Sequence, residues 1–341
     1  MSQKLLFITP KIDESHDDLA FAGLWAKAFN NADFDVQVIC TRKGVCSLDI
    51  PVYSLGGERG VSRLGQFLNF QKLIMTLKYD RVFVHMTPRW LAAGSWFWWL
   101  RRIPHYLWFT HYTRTLALKI GDKTVKRMFA ATKECLPHYD GDERKIVTGH
   151  GIDTDFWQTQ ELLSDEEREP ITHLLCVHRI SRSKRFDLVL KALALLPSEY
   201  KLTHYGQPQD PRIDPEYADE IKRLVIDLNL GGRVRFMGAV PMHELKKIYP
   251  RFQTFINMVP RTIDKTVLEA MYCGLTPIMT YGQAEAIGYP GWPSDDTPEA
   301  IAGYIKRMQL KSREQLQKIV NEGHSLKALI GKMAVYIRPG S

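Results

Sequence analysis

The sequence predicts two doubly wound α/β domains with mostly parallel sheets. Three observations lead there. Strand-like and helix-like signals alternate along the whole chain. The alternation pauses in an acidic, polar stretch at 161–170 and restarts at a new apolar run, His173 to His178. The chain has 341 residues, 45% of them hydrophobic, which is enough for two separate cores.

In the first half, Lys4 to Thr9, Asp35 to Cys40, Val52 to Leu55, Arg81 to His85 and Tyr106 to Thr110 read as strands: short, apolar and bounded by polar or turn residues. Leu19 to Asn30 and Leu64 to Leu77 read as helices. In the second half, His173 to His178, Leu202 to Tyr205, Val234 to Met237 and Thr254 to Asn257 read as strands. Phe186 to Leu196 is a strongly apolar helix, and Tyr217 to Leu228 and Pro298 to Gln309 are amphipathic helices. The expected domains are therefore 1–160 and 171–325 with 161–170 as linker, followed by a final helix within 326–341. Open α/β sheets bind ligands beyond the carboxyl ends of their strands, and two such domains facing each other make a cleft there.

Composition excludes several classes. Cys40, Cys46, Cys135, Cys176 and Cys273 are scattered without a C-x-x-C pair, which reads as reduced thiols in a cytoplasmic protein and not as a disulfide framework or zinc site. The first ten residues look like a buried strand, being too short in their apolar run for a signal peptide. No segment reaches the roughly 18–20 apolar residues of a membrane-spanning helix. The net charge is +8, and residues 51–150 hold 16 Lys and Arg against 7 Asp and Glu, whereas 151–341 hold 25 against 24. The first half thus suits an anionic membrane surface or a phosphate-bearing acceptor; no nucleic-acid motif accompanies it. No Gly-x-Gly-x-x-Gly follows a strand, which argues against an NAD-dependent oxidoreductase.

The stretch Asn257 to Met279 is the most informative. A strand over 252–259 runs through a polar loop into a helix expected to open near Thr266, with Glu269 in its first turn, and to end at Gly274. An acid beside unpaired backbone N–H groups stabilises a helix start; the same helix end can hold a phosphate while the carboxylate takes two neighbouring hydroxyls, as on a ribose. Spacing alone leaves both roles open.

Leu268-Glu269-Ala270-Met271 followed by Cys273-Gly274-Leu275-Thr276-Pro277 resembles the nucleotide-sugar signature of the family-four retaining glycosyltransferases of GT-B fold (glycosyl transferases group 1). The lead-in Ile263-Asp264-Lys265 resembles a bacterial subgroup of that family. His150 to Asp153, Arg179 to Lys184 and Val234 to Gly238 agree with it as well. The resemblance implies GT-B architecture, in which the last helix crosses back to the first domain. It implies sugar transfer from a UDP- or GDP-linked donor to a glycan or lipid-linked acceptor of the cell envelope, with retention and with no metal or other cofactor. A nucleotide-sugar epimerase or phosphorylase on the same fold, and a non-catalytic nucleotide-binding subunit, are the competing readings.

Residue by residue, the resemblance places Arg179 and Lys184 on the diphosphate, where a forked guanidinium and an ammonium replace a metal. Asp140-Gly141-Asp142 has metal-like spacing but lies in a polar turn and is not read as a site. Gly206, ending a strand, matches the family's glycine that lets backbone approach the donor; a plain turn competes. Asp264, Lys265, Thr266 and Glu269 complete the donor side. His111, just past a strand, stands where the family has a histidine near the sugar, and a core histidine is the alternative. His150 replaces the family's usual Asn and reads as structural. Asp17 and Asp18 face the acceptor or, more simply, cap the helix behind them; the Gly-Gly pair of many relatives is missing there. Arg261 occupies the position of a second family acid, and Asp264 with Lys265 is expected to cover that loss.

Arg89 to Arg102 combines four tryptophans with flanking arginines. That composition suits a helix in a membrane interface, with Trp96, Trp98, Trp99, Arg101 and Arg102 touching lipid on the inner face of the cytoplasmic membrane. A core helix is the alternative.

Overall fold

A computed structural model describes all residues except 1–2, 15–20, 159–162, 165, 211–213, 215, 261, 291–294 and 339–341. Asp17, Asp18 and Arg261 lie outside the described residues. The chain folds into two compact units: Met1–Gly149 with Leu326–Ser341, and His150–Ser325.

Among the described residues the first unit holds seven strands: β1 (Gln3–Ile12), β2 (Phe34–Lys43), β3 (Val52–Ser54), β4 (Arg81–His85), β5 (His105–Trp108), β6 (Arg127–Ala130) and β7 (Lys145–Val147). Their order is β3-β2-β1-β4-β5-β6-β7, and every neighbouring pair is parallel. The second holds β8 (His173–Val177), β9 (Lys201–Tyr205), β10 (Val234–Phe236), β11 (Thr254–Asn257) and β12 (Thr276–Met279), in the order β10-β9-β8-β11-β12, again all parallel. Every residue of β5, β8, β11 and β12 is buried, as expected for strands covered by helices on both faces.

Each unit has its own core. Trp25, Phe29, Phe83, Trp108 and Phe129 dominate the first, and Leu329, Ile330, Met333 and Ile337 of the helix Leu326–Ile337 join them. Trp157, Phe186, Tyr249 and Phe255 dominate the second. Residues 150–158, expected in the first domain, pack with the second unit: Ile152 pairs with Ser325 and Trp157 is fully buried there. The strand expected over 252–259 is paired only over Thr254–Asn257. The Asn257 side-chain oxygen takes the Val259 N–H at 3.1 Å and turns the chain out of the ladder.

The tryptophan-rich helix spans Pro88–Leu100. Trp98, expected at the membrane, is 0% exposed; its indole N–H donates to the Tyr79 hydroxyl at 3.1 Å, and its ring fills the space beside Gly94. Trp96 and Trp99 are 51% and 67% exposed, and Arg101 and Arg102 are exposed beyond the helix end. Consecutive residues on a helix point about 100° apart, so a run of tryptophans cannot share one environment. No described helix is long and apolar enough to cross a membrane.

Candidate active site

The order of the second sheet reverses between β8 and β11. At such a switch point the two following loops diverge to opposite faces and leave a crevice beyond the strand ends. The loop after β8 runs through Arg179 into a short 3-10 turn, Arg182–Lys184. The loop after β11 leads to the helix Lys265–Tyr272. Both sets of expected donor residues therefore leave adjacent strands at the same end.

Side chains join the two loops. Lys184 Nζ donates to Asp264 Oδ2 at 2.6 Å, across 80 positions of sequence. Asn257 Nδ2 donates to the same oxygen at 2.9 Å, and the Asp264 N–H donates to Gln283 Oε1 at 2.8 Å. Asp264 is the N-cap of its helix, its other oxygen accepting from the Thr266 N–H at 3.5 Å. Burial opposes ionisation of Asp264, but the Lys184 charge and the hydrogen bonds from Lys184 and Asn257 outweigh it and hold the carboxyl well below the usual carboxylate range. An ammonium thus stands, already oriented, beside a helix N-terminus.

Glu269 differs from expectation. The cap at Asp264 starts the helix at Lys265, so Glu269 falls in the second turn and no acid occupies the first. It is buried, and desolvation pushes its carboxyl up to about 7, against the pull of Lys265. The acid that meets the helix start is Asp264. Lys265 and Thr266 are half-buried at that start. His150 is buried behind it: burial and the Lys265 charge push its imidazole down to about 3, and its Nδ1 accepts the Gly151 N–H at 3.0 Å, which fits a structural role.

Arg179 is exposed on the β8 loop. Gly206 has φ +144°, and a Cβ there would lie 1.9 Å from the His178 carbonyl oxygen. The close approach is thus to the protein's own backbone, a structural demand for glycine. His111 is exposed past β5 in the first unit, its ring 5.0 Å from that of Phe109. Asp140 and Asp142 pair with Lys145 and Arg144, as expected of a charged turn. Sequence reasoning assigned no role to Asn257 and Gln283, which position Asp264. A polar residue ending an apolar strand was the available signal for Asn257; Gln283 had none.

Residues 171–309 match the family model described as Glycosyl transferases group 1. The protein is a glycosyltransferase. Its fold is GT-B, as its likeness to solved structures shows. HepE of Anabaena in complex with UDP-glucose superposes with a TM-score of 0.75 at 16% identity, covering 98% of this chain and 99% of that one. Sucrose-phosphate synthase from Thermosynechococcus elongatus gives 0.68 at 16%, covering 98% of each. The lipopolysaccharide outer core galactosyltransferase WaaB gives 0.68 at 13%, covering 98% and 99%. No curated protein matches the glycosyltransferase significantly in sequence.

Proposed function

We propose that this glycosyltransferase moves a sugar from a nucleotide-sugar donor to a glycan or lipid-linked acceptor in cell-envelope synthesis, with retention and without a metal on the diphosphate. The observation that carries this reading is the ion pair between Lys184 and the capping Asp264 at the switch point of the second sheet. A departing diphosphate needs fixed positive charge, and here an ammonium and a helix N-terminus adjoin. Arg179 adds a guanidinium from the same loop. Lys265 and Thr266 offer further donors at the helix start, and Glu269 takes the ribose hydroxyls. His111 serves the donor sugar. UDP is the favoured nucleotide, since HepE was solved with UDP and UDP-glucose; WaaB acts on lipopolysaccharide, which supports an envelope acceptor. In the retaining course the acceptor attacks from the leaving-group face and a phosphate oxygen takes its proton, so the enzyme's part is positioning and charge stabilisation.

Membrane contact is part of the proposal. Trp96, Trp99 and Leu100 are exposed beside Arg101 and Arg102, and the helix Arg63–Thr76 exposes Leu64, Phe67 and Leu68. Apolar tips with flanking cations suit the inner face of the cytoplasmic membrane.

The test is donor hydrolysis and transfer with UDP-glucose, UDP-galactose and GDP-mannose, with and without EDTA. Turnover of one donor that survives EDTA and falls at least about 100-fold in Lys184→Met supports the reading. Turnover that needs a divalent ion, or that Lys184→Met leaves intact, overturns it.

A further inference from the structure

Cys176 and His178 lie two positions apart at the end of β8, and so point to one face of the strand. In the parallel register of the sheet, Cys176 stands opposite His204 of β9, which brings a third side chain to that face. All three are buried, and their ligand atoms lie within 4.8 Å of one another. No other group of three or more His, Cys, Asp or Glu among the described residues does this.

The imidazoles are oriented through their outer nitrogens. His178 Nδ1 donates to the Arg179 carbonyl at 2.9 Å, leaving the lone pair on Nε2. His204 Nε2 donates to the His178 carbonyl at 2.9 Å, leaving the lone pair on Nδ1. The Cys176 thiol sits 3.0 Å from His178 Nε2. His204 Nδ1, on a side chain with no solvent exposure, has no hydrogen-bond partner among the described residues. A buried acceptor left unpaired is costly and needs a reason. Metal-binding histidines characteristically donate their other N–H to a carbonyl, which fixes the tautomer and aims the lone pair.

We propose that Cys176 Sγ, His178 Nε2 and His204 Nδ1 bind a thiophilic d10 cation, Zn2+ or Cu+. A thiolate with two imidazoles suits these ions and not the oxygen-seeking Mg2+ or Ca2+. Binding breaks the thiol S–H bond, forms the sulfur–metal bond and releases the proton to solvent, so affinity rises with pH. Bonds of about 2.3 Å to sulfur and about 2.1 Å to nitrogen require Sγ and Nε2 to separate to roughly 3.5 Å, about half an ångström more than in the ligand-free cluster. Phe186 and Phe236 wall the cluster, with ring centroids 4.6 and 5.8 Å from that of His204. The ion is structural: it ties the ends of β8 and β9 together beneath the loop that carries Arg179 and Lys184. It does not touch the diphosphate, so the metal-free transfer proposed above is unaffected. The sequence reading gave these residues no metal role because three ligands in two segments carry no compact spacing signature.

The experiment is metal analysis and X-ray absorption of the full-length protein, together with melting curves in EDTA, in Zn2+ and in chelator-buffered Cu+. The expected result is one ion per chain with one sulfur and two imidazole scatterers. The melting point should rise with one of the two cations, which identifies it, and the rise should vanish in Cys176→Ser and His204→Phe. If those variants do not fold, the scatterer set of the wild-type protein decides. A bound metal without a sulfur scatterer, equal melting shifts in wild type and variants, or no binding of either cation overturns the proposal.

Discussion

Replacing Glu269 by Gln should make the protein more stable above neutral pH while disabling it. Glu269 is buried in the second turn of its helix, and desolvation raises its carboxyl from 4.5 to about 7. At about 1.4 kcal/mol per pH unit, ionising it in the folded state costs about 3 kcal/mol more than in the unfolded chain. A folded-state pKa raised above the unfolded value means that the stability is fully present below about 4.5 and is lost as pH rises through about 7. Gln keeps the shape and cannot ionise. The two proteins should therefore melt alike near pH 5, and by pH 8 the variant should lead by about 2–3 kcal/mol, or roughly 4–12 °C for a domain of this size. Urea or thermal melts at several pH values measure it, and comparing variant with wild type removes the contribution of all other groups. The same substitution removes the anion that should grip the ribose hydroxyls, so donor turnover should fall by at least about 100-fold. Parallel stability curves across pH would refute the buried, strained carboxyl. A fully active variant would refute its role on the donor.

Asp264→Asn should cost about 1.5–3 kcal/mol near neutral pH by removing the ion pair with Lys184. Because the Asp264 carboxyl is depressed in the folded state, that contribution is present above the ordinary carboxylate pKa and fades as pH falls below it, so the gap should narrow below about pH 4 in acid melts. Lys184→Met should cost more, about 3–5 kcal/mol, since it leaves a buried carboxylate unpaired, and should also abolish the thermal shift given by UDP. Trp98→Ala should destabilise by about 3–5 kcal/mol, whereas Trp96→Ala with Trp99→Ala should stay within about 0.5 kcal/mol and weaken sedimentation with anionic vesicles. Gly206→Ala should lose on the order of 3 kcal/mol or more, judged by melting, because its Cβ would collide with the His178 carbonyl at a φ of +144°.

Local pattern carried much of the architecture. Apolar runs with turn residues between them located the strands, and Arg81–His85 matches the reading end to end. The helix start before Glu269 was legible to within one residue, because an apolar strand giving way to a polar loop is a local signal; that Asp264 caps it appeared only in the structure. Its register was not: the cap at Asp264 starts the helix at Lys265, one residue before the expected opening at Thr266, which leaves Glu269 in the second turn, and burial then turned an expected anion into a carboxyl that titrates near neutrality.

What the sequence by itself determined is the alternation of strands and helices and the identity of the charged groups, because both depend on neighbours within a few residues. Tertiary structure alone decided which groups meet. Lys184 finds Asp264 across 80 positions because β8 and β11 are adjacent in the sheet. Cys176 finds His204 because parallel pairing sets them side by side. Trp98 turns inward while Trp96 and Trp99 turn out, because the helix has only one face to offer the core. Such pairings are fixed by strand order and helix phase, properties of the packed chain that no short window of residues contains.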